Sequence, residues 1–275
     1  MTPFLPRFFP RAAAEGRPAL LGILNATPDS FSDGGLHAAP EDAVARAARL
    51  LADGADGLDV GAESTRPGFT PVPPDEELRR LLPVLRALRA AFPAAVLSVD
   101  TRHAAVARAA LDLGASIVND VSALADPDMA PLVASSGAGL VLMHGWPEHA
   151  GLRPRAAAPG ALADWVASGL SSLLARALAA GIAPERICAD PGFGFGLKRA
   201  DNAEVLRGLP RIVAACAPCP LLVGPSRKHF LAEQFPEAAG DPDRATALFC
   251  AEAVRLGASA LRVHDVAVVR SALPR

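Results

Sequence analysis

In this chain, ionisable and amide side chains recur at one kind of place, the end of a short apolar run. Asn25 ends LLGILN, Asp59 lies in GLDVG, Asp100 in VLSVDT, and Asn119 with Asp120 end SIVND. His144 ends GLVLMH, Asp190 lies in ICADPG, Ser226 to Lys228 follow PLLVGP, and Arg262 with His264 lie in ALRVHD. Any one of these Asp, Asn or Ser residues, taken alone, reads as a helix cap or loop anchor. Caps do not require carboxylates, amides and cations to be interleaved from one run to the next, so the series reads as a binding rim. Asp100, Asn119 and Asp190 offer acceptors for an amino group beside a ring N–H, the edge of a flat, nitrogen-rich heterocycle. Arg66 in ESTRPG, the SRK of Ser226–Lys228 and the RVH of Arg262–His264 supply cations for a phosphate or pyrophosphate. An arginine can also stack on an aromatic ring.

The first run continues as LLGILNATPDSFSDGG, with Phe31 set between Asp29 and Asp33 in a polar, glycine-ended loop. A plain connection is shorter and needs no exposed aromatic. Other motifs carry less. DPGFGFG (Asp190–Gly196) lacks the spacing and early position of a dinucleotide fingerprint, and GPSRKHF lacks the order of a phosphate loop. His144 and His149 read as a strand-end and a loop histidine, and Trp146 as cover for the barrel top. Among Cys188, Cys216, Cys219 and Cys250, the C-A-P-C pair could be a redox or metal motif. It ends a helical stretch before a strand, and no second pair completes a zinc tetrad, so the cysteines read as small apolar residues.

The runs alternate with helical patterns at Pro40–Asp53, Asp75–Phe92, His103–Leu113, Gly160–Ala180, Ala203–Cys216 and Ala245–Leu256, with a short closing helix at Val266–Leu273. Right-handed crossovers between such strands give a parallel sheet, and about eight units close a (β/α)8 TIM barrel. The strand ends then meet on one rim, where the loops build the site. An open doubly wound sheet is the competing architecture, but it calls for a glycine-rich turn where this chain has NATPDSF. Helical stretches such as EELRRLLPVLRALRAAF carry charge opposite Leu and Ala, which describes a solvated face. Residues 1–17, proline-rich, read as an irregular N-terminal segment, and 18–275 as a single barrel.

At 275 residues and 51% hydrophobic, with mean hydropathy +0.27, the chain can bury a large core. A net charge of −2 argues against a nucleic-acid partner. The N-terminal stretch is broken by prolines and arginines, unlike a secretion signal, and no apolar run reaches a membrane span. The expected compartment is the cytoplasm.

The motifs GILNATPDSFSDGG, DVGAESTRPG, SVDTR, VNDVSA, DPGFGFG, VGPSRK and RVHDV, in this order, resemble the dihydropteroate synthase family from Leu20 to Val266. The resemblance implies a pterin-binding (β/α)8 barrel that joins 6-hydroxymethyl-7,8-dihydropterin pyrophosphate to p-aminobenzoate, with release of pyrophosphate, in folate biosynthesis. It implies that Asp100, Asn119, Asp190, Lys228 and Arg262 hold the pterin. Asn25, Thr65, Arg66, Arg262 and His264 would hold the pyrophosphate end, Asn25 also touching Mg²⁺. Pro28, Phe31, Thr65, Pro67, Phe195 and Ser226 would shape the p-aminobenzoate pocket, where sulfonamides compete. Asp29, Asp33, Arg66 and Lys228 are the residues it brings to the chemistry. It also implies a homodimer.

The chain departs from the family pattern at Ala62, Leu197, Asp201 and His229, none of them in the pterin set. Two rivals share part of the pattern. A methyltetrahydrofolate–corrinoid methyltransferase would have no use for TPDSFSDGG or SRK. A non-catalytic pterin-binding relative would have lost residues such as Asn25, Arg66, Lys228 or His264, and all four are present.

Overall fold

The computed structural model describes residues 4–26, 35–63, 71–145, 161–195 and 197–274, with the backbone alone at 35–39. Eight apolar runs form strands: β1 (Ala19–Asn25), β2 (Gly57–Gly61), β3 (Val96–Asp100), β4 (Ile117–Asp120), β5 (Gly139–Met143), β6 (Ile187–Asp190), β7 (Leu222–Val223) and β8 (Ala260–Val263). All are parallel, in the order β6-β5-β4-β3-β2-β1-β8-β7. A bridge between Ala189 and Leu221 joins the two ends of the sheet. Nearly every strand residue is buried, as a parallel sheet covered on both faces requires. This is the expected (β/α)8 barrel.

The helices are α1 (Phe4–Phe8), α2 (Pro10–Glu15), α3 (Gly35–Ala52), α4 (Pro74–Ala91), α5 (Ala104–Asp112), α6 (Met129–Ser136), α7 (Ala161–Ala179), α8 (Arg199–Arg207), α9 (Leu209–Cys216), α10 (Phe230–Gln234), α11 (Pro242–Arg255) and α12 (Val266–Ala272). In α4, Leu81, Val84, Leu85 and Leu88 form one buried stripe at helical spacing. α11 begins on Asp241, which accepts a hydrogen bond from the Arg244 N–H, and α12 on Asp265, which accepts from Val268. The pattern at Ala203–Cys216 is two helices rather than one. Gly208 ends α8, and Pro210, in the first turn of α9, starts the next.

Residues 1–17 are not irregular as expected, because 4–15 form α1 and α2. Five- and six-residue helices have no stability of their own, so packing holds them. Phe4, Leu5, Phe8, Phe9, Ala12 and Ala13 cluster with the barrel residues Ala19, Leu21, Ile117, Val141, Cys188, Leu222 and Ala260. The N-terminal helices thus plug the foot of the barrel. Glycines make room for the rings. A Cβ at Gly139 would lie 2.9 Å from Phe8, and one at Gly57 would lie 3.1 Å from both Phe9 and the Val96 carbonyl.

Register sets the opposite end. Asn25 lies beside Gly61, Gly61 beside Asp100, Asp100 beside Asn119, and Met143 beside Asp190. Side chains alternate along a strand, so residues two apart share a face. Asn119, Asp190 and Arg262 therefore face inward, each two residues beyond Ile117, Cys188 and Ala260 of the plug cluster.

Candidate active site

The centre of the rim is an arginine between two carboxylates. Arg262 of β8 donates from Nε to Asp59 Oδ2 and from Nη2 to Asp100 Oδ2 at 2.6 Å. The Asn119 amide donates to the same Asp59 oxygen at 3.1 Å. Among the described residues Asp59 Oδ1 is buried with no partner, as is the hydroxyl of Ser98, its register neighbour on β3. Unpaired buried polar atoms are costly, and these two lie behind the Arg262 bridge at the centre of the rim.

Asp190, at the end of β6, is held by the turn that follows it. Its Oδ1 accepts the Gly192 N–H at 2.8 Å. Gly192 and Gly194 both have positive φ, +74° and +79°. A Cβ on Gly192 would collide with the His144 carbonyl, and one on Gly194 would lie 2.6 Å from the Lys228 stem. Two glycines of DPGFG are therefore fixed by close approach rather than by a dinucleotide. Asn202, fully buried, accepts the Gly194 N–H at 2.8 Å and donates to the Lys198 carbonyl.

Lys228 reaches across this turn. Its ammonium donates to the Phe193 carbonyl and lies 4.1 Å from the centroid of the Phe195 ring. The preceding Arg227 takes positive φ and pairs through two bonds of 2.8 Å with Asp243 of α11. That clamp aims the lysine inward. Ser226 Oγ accepts the His264 backbone N–H at 3.1 Å and lies 2.9 Å from His264 Nδ1. Arg46 of α3 donates to the His264 carbonyl at 2.6 Å.

Burial dominates the electrostatics. It raises Asp100 to about 7 against the pull of Arg262, with Asp59 and Glu63 adding to the rise. It raises Asp190 to about 6, against the Gly192 N–H and Lys228. It lowers Lys228 to about 7, although Asp190 favours the ammonium. Arg262 keeps its charge because two carboxylates outweigh its burial. Groups held this close to neutrality mark a site that awaits a partner of its own polarity.

The structure thus brings Asp100, Asn119, Asp190, Lys228, Arg262, Ser226 and His264 to one end of the barrel. Asn25 ends β1 on the same rim, half-buried. Phe195 stands over Lys228. Pro28, Asp29, Phe31, Asp33, Thr65, Arg66 and Pro67 lie outside the described residues, as do Trp146 and His149. Asp59 is the residue that sequence reasoning left unassigned, since a carboxylate inside a strand declares its direction only once register is known. Asp120 serves the fold instead, accepting from Ser122 and Leu124. His144 sets its ring edge-on to Trp165 at 4.5 Å. The four cysteines are free and buried, and burial lifts Cys219 to about 11 and Cys216 to about 12. C-A-P-C is not a thiolate centre.

The family model described as pterin binding enzyme matches residues 21–264. A dihydropteroate synthase of Mycobacterium leprae is 46% identical over 257 residues, covering 90% of this chain and 88% of that one. The chain belongs to the dihydropteroate synthase family. Membership makes it a transferase. Two solved structures of the Xanthomonas albilineans dihydropteroate synthase share its fold. The one with 4-aminobenzoic acid is 44% identical with a TM-score of 0.84, covering 93% of this chain and 90% of that one. The one in complex with 7,8-dihydropteroate is 40% identical with a TM-score of 0.80, covering 93% and 91%. No described helix is long and apolar enough to cross a membrane.

Proposed function

We propose that this chain condenses 6-hydroxymethyl-7,8-dihydropterin pyrophosphate with p-aminobenzoate to give 7,8-dihydropteroate and pyrophosphate. The observation that carries the reading is the Asp59–Arg262–Asp100 bridge, with Asn119, Asp190 and Lys228 around it. A pterin presents an amino group beside ring N–H, and Asp100 and Asp190 are its acceptors. Lys228 donates to ring acceptors, and Arg262 covers the ring face. Ser226 sets the orientation of His264, which with Arg262 faces the diphosphate.

As the C–O bond to pyrophosphate breaks, negative charge grows on the leaving group and positive charge on the pterin methylene. Fixed cations on one side and carboxylates on the other meet both changes without reorganisation. The arylamine then attacks the methylene carbon and loses its proton. In this reading Pro28, Phe31, Thr65, Pro67, Phe195 and Ser226 surround the aminobenzoate. It assigns Asp29, Asp33, Arg66 and Lys228 to the chemistry.

Among the described residues no group of three or more His, Cys, Asp or Glu could hold a metal ion. Asn25 offers one neutral amide oxygen, which fits Mg²⁺ that arrives with the diphosphate and keeps phosphate and water oxygens as ligands. Bound there, Mg²⁺ would neutralise leaving-group charge. The reading extends to a homodimer, with Leu178 and Val268 as exposed apolar side chains. It also extends to a cytoplasmic location, supported by four free thiols.

Mixing the protein with both substrates and Mg²⁺ tests the reaction. Pyrophosphate release that depends on p-aminobenzoate is expected. No release, with the dihydropterin still bound, would leave a pterin-binding protein without this activity. Sedimentation tests the dimer.

A further inference from the structure

Glu77 lies in the first turn of α4, where an acid normally faces solvent and complements the helix dipole. Its neighbour Glu76 does so, bonded to Arg79 and Arg80 on the same helix. Glu77 instead is fully buried, and among the described residues neither carboxyl oxygen finds a hydrogen-bond partner. The groups acting on it are the Thr101 hydroxyl, Glu63 two residues beyond β2, Asp100 at the end of β3 and Arg102 in the turn before α5.

The cations of this neighbourhood are committed. Arg102 takes Glu63 through two bonds of 2.8 and 3.1 Å, and Glu63 also accepts the Val72 N–H at 2.7 Å. Arg262 takes Asp100. A third carboxylate here would be a buried charge with neither cation nor N–H donor, a state that proteins avoid by holding the proton. Thr101 is the link to the site. Its hydroxyl oxygen accepts the His103 N–H at 3.2 Å, and its own N–H donates to the Asn119 carbonyl at 3.2 Å. One residue therefore ties Asp100 to Asn119 and to the start of α5.

We propose that Glu77 is a positioning residue for the pterin acceptors: it stays protonated inside the barrel wall, sets its neutral carboxyl against the Thr101 hydroxyl, and so fixes the turn that follows Asp100. Burial raises Glu77 to about 7, and Glu63 and Asp100 add to the rise against Thr101 and Arg102. A neutral Glu77 keeps negative charge on the acceptors that need it. The proposal rests on the pterin reading of the site, and one arm of its test does not.

That arm is thermal unfolding against pH. The folded state holds the Glu77 proton above the ordinary value of 4.5, so its stability contribution is present below 4.5 and is lost as pH rises toward about 7. Glu77→Gln lacks this loss, and its melting temperature should gain on wild type by about 5 °C between pH 4.5 and 8. A constant difference across that window overturns the proposal. The second arm is calorimetric binding of the dihydropterin pyrophosphate with Mg²⁺. Glu77→Gln should bind within about threefold of wild type, while Glu77→Ala and Thr101→Val should each lose about tenfold or more. Equal binding by all three variants, or a loss in Glu77→Gln matching that in Glu77→Ala, overturns it. Should wild type bind no dihydropterin, the functional reading fails, and the unfolding arm still judges the proton on Glu77.

Discussion

At the foot of the barrel, Leu21, Ile117, Val141, Cys188 and Ala260 turn inward against Phe4, Phe8 and Phe9. Two to four residues further along the same strands and their neighbours, the inward positions hold Asp59, Asp100, Asn119, Asp190 and Arg262. That step of two to four residues is about 7–13 Å of strand. Below it every surface is matched, ring against aliphatic. Above it charges lie close to neutrality, and Asp59 keeps an unmatched oxygen. The comparison teaches that one scaffold separates its duties by height: the plugged end holds the chain folded, and the open end stays unsatisfied so that a ligand can complete it.

Substitutions at the two ends should therefore fail in different assays. Phe9→Ala, which empties a fully packed position against Gly57, should cost about 3–5 kcal/mol in chemical denaturation, with KM unchanged below the melting transition. Asp100→Ala should weaken dihydropterin binding by about 2–4 kcal/mol in calorimetry and leave unfolding nearly unmoved. A large stability loss there, or a KM change in Phe9→Ala, would break the division.

The pH dependence sharpens it. Asp190 and Asp100 accept with both oxygens and with full charge only when ionised, so binding should fall as pH drops through about 7 to 6. Lys228 donates its charge only when protonated, so binding should also fall above about 7. The expected profile is a bell centred near neutrality, and Lys228→Met should remove its alkaline side. The smallest effect belongs to the outer wall. Breaking the exposed Arg199–Glu233 pair by Arg199→Ala should shift stability by about 0.5 kcal/mol or less and leave catalysis untouched.

Much of the open end was legible in the sequence, because polar residues ending apolar runs are an alternation that a barrel converts into a ring. All eight strands lie where those runs predicted. The foot was not legible. FLPRF and PRAAAE are too short and too proline-rich to show a helical period, and they are helical because the barrel foot takes in Phe4, Phe8, Phe9, Ala12 and Ala13. α6 and α10, at eight and five residues, escaped notice for the same reason. Asp59 needed register, and Glu77 needed burial. An acid in a first helical turn looks like a dipole partner until its surroundings are known.

The thinnest part of the wall has a consequence of its own. β7 contributes only two residues, and a single bridge at Leu221 stitches it to β6. Asp190 stands on one side of that stitch, and Lys228, Arg262 and His264 stand on the other. Amide protons along 221–223 should exchange with solvent sooner than those of β2 or β3. Any breathing of the wall at this seam parts an anionic jaw from a cationic one.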